Sequence, residues 1–97
     1  MATLTDAQIA GLARSAGFPD SEIPRAVAIA LAESGGRTDV IGHNTNGTVD
    51  VGLWQINSVH GHSTASMQDP VQNAQAAHQI WAAAGNRWTP WVTFNRG

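Results

Sequence analysis

Ile9, Leu12 and Ala13 recur at helical spacing along a polar stretch. Thr5-Asp6-Ala7-Gln8 precedes them as a capping box, with Gln8 three residues after the cap. Gly17 ends that segment, and Phe18-Pro19-Asp20 reads as a turn. A second helix is predicted from near Ser21, with Pro24 in its first turn, where the missing N–H costs little. Ala26-Val27-Ala28-Ile29-Ala30-Leu31-Ala32 then runs without a polar side chain, which predicts a helix buried on all sides. Its alanines allow close packing of neighbours, and Gly35-Gly36 ends it.

The pattern changes over residues 37–63, which are polar and irregular with short strands. Asn44-Thr45-Asn46-Gly47-Thr48 holds an Asn-Gly turn, and its polar flanks predict a small hairpin. Asp69-Pro70 opens a third helix as N-cap and N1. Its inner face is expected at Val71, Ala74, Ala77, His78 and Trp81, with Gly85 closing it. Thr89-Pro90 predicts a short last helix through Trp91, Val92 and Phe94. No repeat, linker or low-complexity stretch interrupts the chain, so the fold class is α+β, mainly α, in a single domain over residues 1–97.

A chain of 97 residues buries roughly two-thirds of the surface its unfolded form exposes, enough for one core. It has no cysteine, which removes disulfides, thiol catalysis and cysteine metal sites from consideration. Five arginines, no lysine and seven acids leave a formal charge of −2. That is not the footprint of a nucleic-acid binder or of a polybasic membrane anchor. No apolar run approaches a membrane span, and the N-terminus lacks the regions of a signal peptide. The expectation is a monomer, or one module of a larger chain, without nucleic-acid or membrane partners. Of the four tryptophans, Trp81, Trp88 and Trp91 lie near the C-terminus. Core packing is the expectation for each, with some lining a cleft that takes sugars.

Glu33 follows seven apolar residues and precedes two glycines, at the end of the second helix. Desolvation and the negative end of the helix dipole both favour its protonated form, which a general acid requires. The alternative is a surface Glu paired with Arg37. Asp50 lies seventeen positions further on, near Asn44, Asn46 and Thr48, whose hydrogen bonds favour an ionised carboxylate. Two carboxyls in contrasting settings suit an acid paired with a base or nucleophile. The alternative for Asp50 is a brace for the hairpin turn. In Gly52-Leu53-Trp54-Gln55-Ile56-Asn57, a strand would send Gln55 and Asn57 to one face, where amides meet sugar hydroxyls and N-acetyl groups. His60 and His62 alternate and would share a strand face. With no third ligand evident, cleft-edge polar roles are expected rather than a metal site. His78 is expected in the core.

Glu33-Ser34-Gly35-Gly36, followed by Asp50-Val51-Gly52-Leu53-Trp54-Gln55-Ile56-Asn57-Ser58, resembles the lysozyme and lytic transglycosylase superfamily. Glu33-Ser34 and the Gly-Leu-x-Gln-Ile run at Gly52–Ile56 are similar to the transglycosylase branch. His43 to Ser58, with Asp50 at its spacing from Glu33, is similar to animal-type lysozymes. The sharp match spans residues 28–58, while the fold it implies covers nearly the whole chain: a lysozyme-like fold with about four helices and a small β-hairpin. The resemblance implies that Glu33 is the general acid and Asp50 the second carboxylate, as nucleophile or stabiliser of an oxocarbenium-like state. Ser34, His43, Asn44, Trp54, Gln55, Asn57 and Phe94 make up the substrate-binding set on this reading, with no cofactor and no metal. The partner implied is the glycan strand of bacterial peptidoglycan.

The chain departs from the pattern in three ways. It lacks the disulfides of animal lysozymes and is shorter. Phe94-Asn95-Arg96-Gly97 stands where the transglycosylase branch has Tyr-Asn-Ala-Gly. Three activities stay open: a muramidase, a lytic transglycosylase leaving a 1,6-anhydro end, and an inactive glycan-binding module. With no signal peptide, the implied setting is a phage lysin or tail protein, or a module of a secreted wall enzyme.

Overall fold

The computed structural model describes residues 2–91. Helix α1 (Asp6–Ala16) opens with the capping box, both reciprocal hydrogen bonds between Thr5 and Gln8 being formed. It ends at Gly17, which turns left-handed at φ 113°. Helix α2 (Ile23–Ser34) follows a single 3-10 turn at Asp20–Glu22, with its proline in the first turn. Ile9 and Ala13 of α1 and Ala26, Ile29 and Ala30 of α2 enter the core.

The expectation that α2 is buried on all sides is corrected. Ala28 and Ala32 are exposed and Leu31 is 36% exposed. A domain this small covers one face of the helix, and alanine methyls on the other face expose little apolar area.

Strands β1 (Ile41–His43), β2 (Val49–Val51) and β3 (Ile56–Asn57) form an antiparallel sheet in the order β1-β2-β3. Gly42 pairs with Asp50, and Asp50 with Asn57. The Asn-Gly turn closes the hairpin, with Gly47 at φ 85° and the Thr48 amide donating to Asn46 Oδ1. The predicted strand over Gly52–Asn57 is interrupted. Residues 52–55 form a turn in which the Gln55 amide donates to the Gly52 carbonyl, so only Ile56 and Asn57 continue as strand.

Helix α3 (Thr64–Met67), capped by Ser63, was not among the predicted elements. Helix α4 (Pro70–Ala83) begins as predicted, Asp69 accepting from the Gln72 amide. Its inner face differs from the expectation. Val71 is 51% exposed and His78 only half-buried, whereas Asn73 and Ala76 are buried. The proposed last helix at Thr89–Phe94 runs beyond the described residues. Among the described residues, no helix is long and apolar enough to cross a membrane.

Asn73 joins the helical part to the sheet. Its Oδ1 accepts from the Trp54 amide at 2.8 Å, and its Nδ2 donates to the carbonyls of Val51 and Met67, each at 2.8 Å. A buried amide with all three bonds satisfied is favourable, whereas removing it leaves its partners unpaired at about 1–3 kcal/mol per group. Asn73→Leu keeps the volume and loses the bonds. Its melting temperature, followed by circular dichroism, is expected to fall by roughly 15 °C. A fall under a few degrees would show that the clamp is dispensable.

Candidate active site

Glu33 stands in the last turn of α2, where Gly35 turns left-handed at φ 65°. Ser34 completes that turn. Its Oγ donates to the Ala30 carbonyl and accepts from the Gly36 amide. Beyond it, Gly36 accepts from the Leu4 amide, which ties the N-terminus across the helix end. Glu33 is half-buried. Among the described residues its carboxyl has no hydrogen-bond or ion-pair partner, so the expected alternative, a pair with Arg37, is not formed.

Asp50 sits in the middle strand of the sheet, half-buried. Each of its oxygens takes a side-chain amide: Asn44 Nδ2 donates to Oδ2 at 3.2 Å, and Asn57 Nδ2 to Oδ1 at 2.9 Å. Thr48 Oγ1 accepts from both asparagines, at 3.1 and 3.3 Å. Asn44 from the hairpin turn and Asn57 from β3 therefore fix the carboxylate, with Thr48 bracing both amides. The antiparallel register is what brings them together, because Asn57 lies directly across from Asp50.

Glu33 and Asp50 line one cleft of about 540 Å³. His43, Asn44, Gln55 and Asn57 line it too, so six of the nine expected site residues converge on this space. Gln55 takes part as a brace. It adopts φ 49°, and its Nε2 donates to the carbonyls of Val40 and Gly52, each at 3.0 Å.

Two expected substrate contacts are corrected. Trp54 is fully buried and its Nε1 donates to the Ala26 carbonyl, so its ring belongs to the core. Ser34 is 5% exposed and spends its hydroxyl on the end of α2. Phe94 lies outside the described residues.

The cleft also has members absent from the expected set. Trp91 lines it while remaining 4% exposed, and its Nε1 donates to the Trp54 carbonyl at 2.8 Å. Trp91 is the outer end of an aromatic row. It lies 5.0 Å from Trp88, which stacks on Phe18 at 5.1 Å, and His78 meets Phe18 edge-on. His60 and Ile80 contribute from the far side. Alternation had placed His60 at a cleft edge, but nothing local distinguishes Trp91 from its neighbours Trp81 and Trp88.

Comparison with known proteins bears on this arrangement. A family model described as a lysozyme-like domain matches residues 10–93. The chain is similar to Lysozyme 1 of Musca domestica, at 32% identity over 95% of this chain and 76% of that protein. It is also similar to a lysozyme of Galleria mellonella, at 37% identity over 66% of this chain and 54% of that protein. In fold it is similar to the crystal structure of a lysozyme from Litopenaeus vannamei. That match has a TM-score of 0.78 and 22% identity, and covers 98% of this chain and 86% of the other.

Proposed function

The chain belongs to the lysozyme-like domain family and is a lysozyme-type glycosidase, and on that premise we propose that it hydrolyses the glycan strands of bacterial peptidoglycan. The bond cut is the β-1,4 link between N-acetylmuramic acid and N-acetylglucosamine. Glu33 gives its proton to the bridging oxygen as that bond breaks. Asp50 faces the sugar on which positive charge develops, as nucleophile or electrostatic partner, and water completes the reaction.

The observation that carries this reading is the contrast between the two carboxyls sharing the cleft. Asp50 is held at both oxygens by amides. Glu33, across from it on α2, is half-buried with its carboxyl unengaged among the described residues. The carboxyl without partners is free to hand over a proton, and the braced one is suited to remain in place opposite a cation. Lysozymes are the type case of this division.

A lytic transglycosylase would cut the same bond and close it on the substrate's own hydroxyl, with no need of a second carboxylate. The two amides on Asp50 favour hydrolysis. Digestion of purified peptidoglycan, analysed by mass spectrometry, is expected to release reducing-end products. Products lighter by one water would replace hydrolysis by the transglycosylase reaction, and no products at all would remove the glycosidase reading. The setting implied is the bacterial cell wall.

A further inference from the structure

One stretch of the cleft wall is a tight turn that follows α4. The Trp91 amide donates to the Trp88 carbonyl at 3.0 Å, with Thr89 and Pro90 between them. Pro90 and Trp91 line the cleft, whereas Trp88 does not. Trp88 is sunk in the core, 3% exposed and stacked on Phe18. Its ring also meets that of Trp91 at 5.0 Å. The two tryptophans are joined through backbone and rings, so fixing the first constrains the second.

The indole N–H of Trp88 donates to Glu22 Oε1 at 2.9 Å, across 66 positions of sequence. Glu22 ends the 3-10 turn before α2, and its own amide donates to the Pro19 carbonyl at 2.8 Å. The next residue, Ile23, is buried. The half-buried carboxylate thus stands on a fixed base, and a bond to a charged acceptor is roughly twice as strong as one to a neutral acceptor. Glu22 itself does not line the cleft. Its carboxylate also stands at the N-terminal end of α2, where the helix dipole favours negative charge whatever it is bonded to. The two roles differ in what they need: the bond needs an acceptor, the dipole needs a charge.

We propose that Glu22 is a positioning residue for glycan cleavage, acting through Trp88 on the Trp91 side of the cleft. The proposal rests on the glycosidase reading above. By holding the Trp88 indole, Glu22 keeps the turn in place and with it Pro90 and Trp91 in the wall of the space that Glu33 shares. Without that acceptor the N–H of a buried ring is left unpaired, and the turn shifts outward to reach water. The polar side chains lining the cleft from the sheet are held independently. Asn44 and Asn57 are tied to Asp50, and Gln55 to the Val40 and Gly52 carbonyls. Losing Glu22 therefore leaves those groups in place and disturbs the geometry around the reacting bond, which lowers kcat rather than raising KM.

Two variants separate the roles. Glu22→Leu removes both acceptor and charge, and Glu22→Gln removes the charge but keeps the acceptor. At a temperature where circular dichroism shows both folded, Glu22→Leu is expected to lower kcat on soluble peptidoglycan strands about tenfold, the effect of losing one charge-assisted hydrogen bond, with KM within about twofold of the parent. Glu22→Gln should keep kcat within about threefold of the parent, because a neutral acceptor retains the bond at roughly half its strength. Exchange of the Trp91 indole proton, followed by NMR, should be about tenfold faster in Glu22→Leu and close to the parent's rate in Glu22→Gln. Equal losses of kcat in the two variants would assign the effect to charge at the start of α2 and overturn the proposal. So would an unchanged kcat in Glu22→Leu, a change confined to KM, or a fall in kcat without faster exchange at Trp91. Faster exchange in Glu22→Leu with no cleavage by the parent would sink the glycosidase reading, while the tie between Glu22 and the cleft wall would stand.

Discussion

Glu33→Gln is expected to lower the rate of glycan cleavage by about 10²–10⁴-fold, the range over which a positioned general acid contributes. The amide has the shape of the acid but no proton to give. The Glu33 carboxyl makes no hydrogen bond or ion pair among the described residues, so the exchange breaks no side-chain contact that holds the fold. The last turn of α2 is closed by Gly35 and by the Ser34 hydroxyl, neither of which is touched. The melting temperature should therefore stay within a few degrees of the parent while release of reducing ends all but stops. A variant that keeps more than about a tenth of the activity would remove Glu33 from the role of proton donor.

Gly52→Ala is expected to cost about 4 kcal/mol or more, at the extreme of what single substitutions do. Gly52 adopts φ 80°, a left-handed conformation that costs any residue with a Cβ about 1–2 kcal/mol. The added methyl would also collide with the Met67 carbonyl and the Asn73 amide. Neither can retreat freely, because Asn73 Nδ2 is bonded to that same carbonyl and to Val51. Relief would pull the turn at residues 52–55 away from α4 and open the Asn73 clamp. Thermal unfolding should shift down by roughly 20 °C. A shift below about 5 °C would mean that the turn repacks around the methyl and that the tight approach is not required.

Much of this architecture was legible before any coordinates. The Thr5–Gln8 capping box, the Asp69-Pro70 start and the Asn-Gly turn are local signals whose partners lie within a few residues, and all three formed. Glu33 and Asp50 were singled out as candidates by their spacing, and both line one cleft. Ser34 was misplaced because adjacent helical residues point about 100° apart, so a neighbour of Glu33 faces elsewhere. Trp54 entered the expected substrate set through the resemblance, but its ring is buried in the core; the continuous strand expected over Gly52–Asn57 came from reading alternation as a strand. Gly52 and Gln55 instead take positive φ, and the chain turns. α3 is a single turn of helix, too short for a periodic pattern to register. Asn73 was not among the residues expected on the inner face of α4. Its burial depends on carbonyls and an amide from Val51, Trp54 and Met67, and no local pattern announces partners that far away.

Trp54 carries a consequence beyond the site. Its indole N–H reaches the Ala26 carbonyl, its amide reaches Asn73, and its own carbonyl receives the Trp91 indole. Four distant stretches are thus tied at one residue, in a chain with no cysteine. A covalent tie survives unfolding and restricts the denatured chain. These ties vanish on unfolding and restrict nothing, so all of their stabilisation belongs to the native state. They also reform without an oxidant or a choice among wrong pairings. A chain without cysteine held this way has no thiol step in its folding, so a reductant should leave its thermal unfolding unchanged.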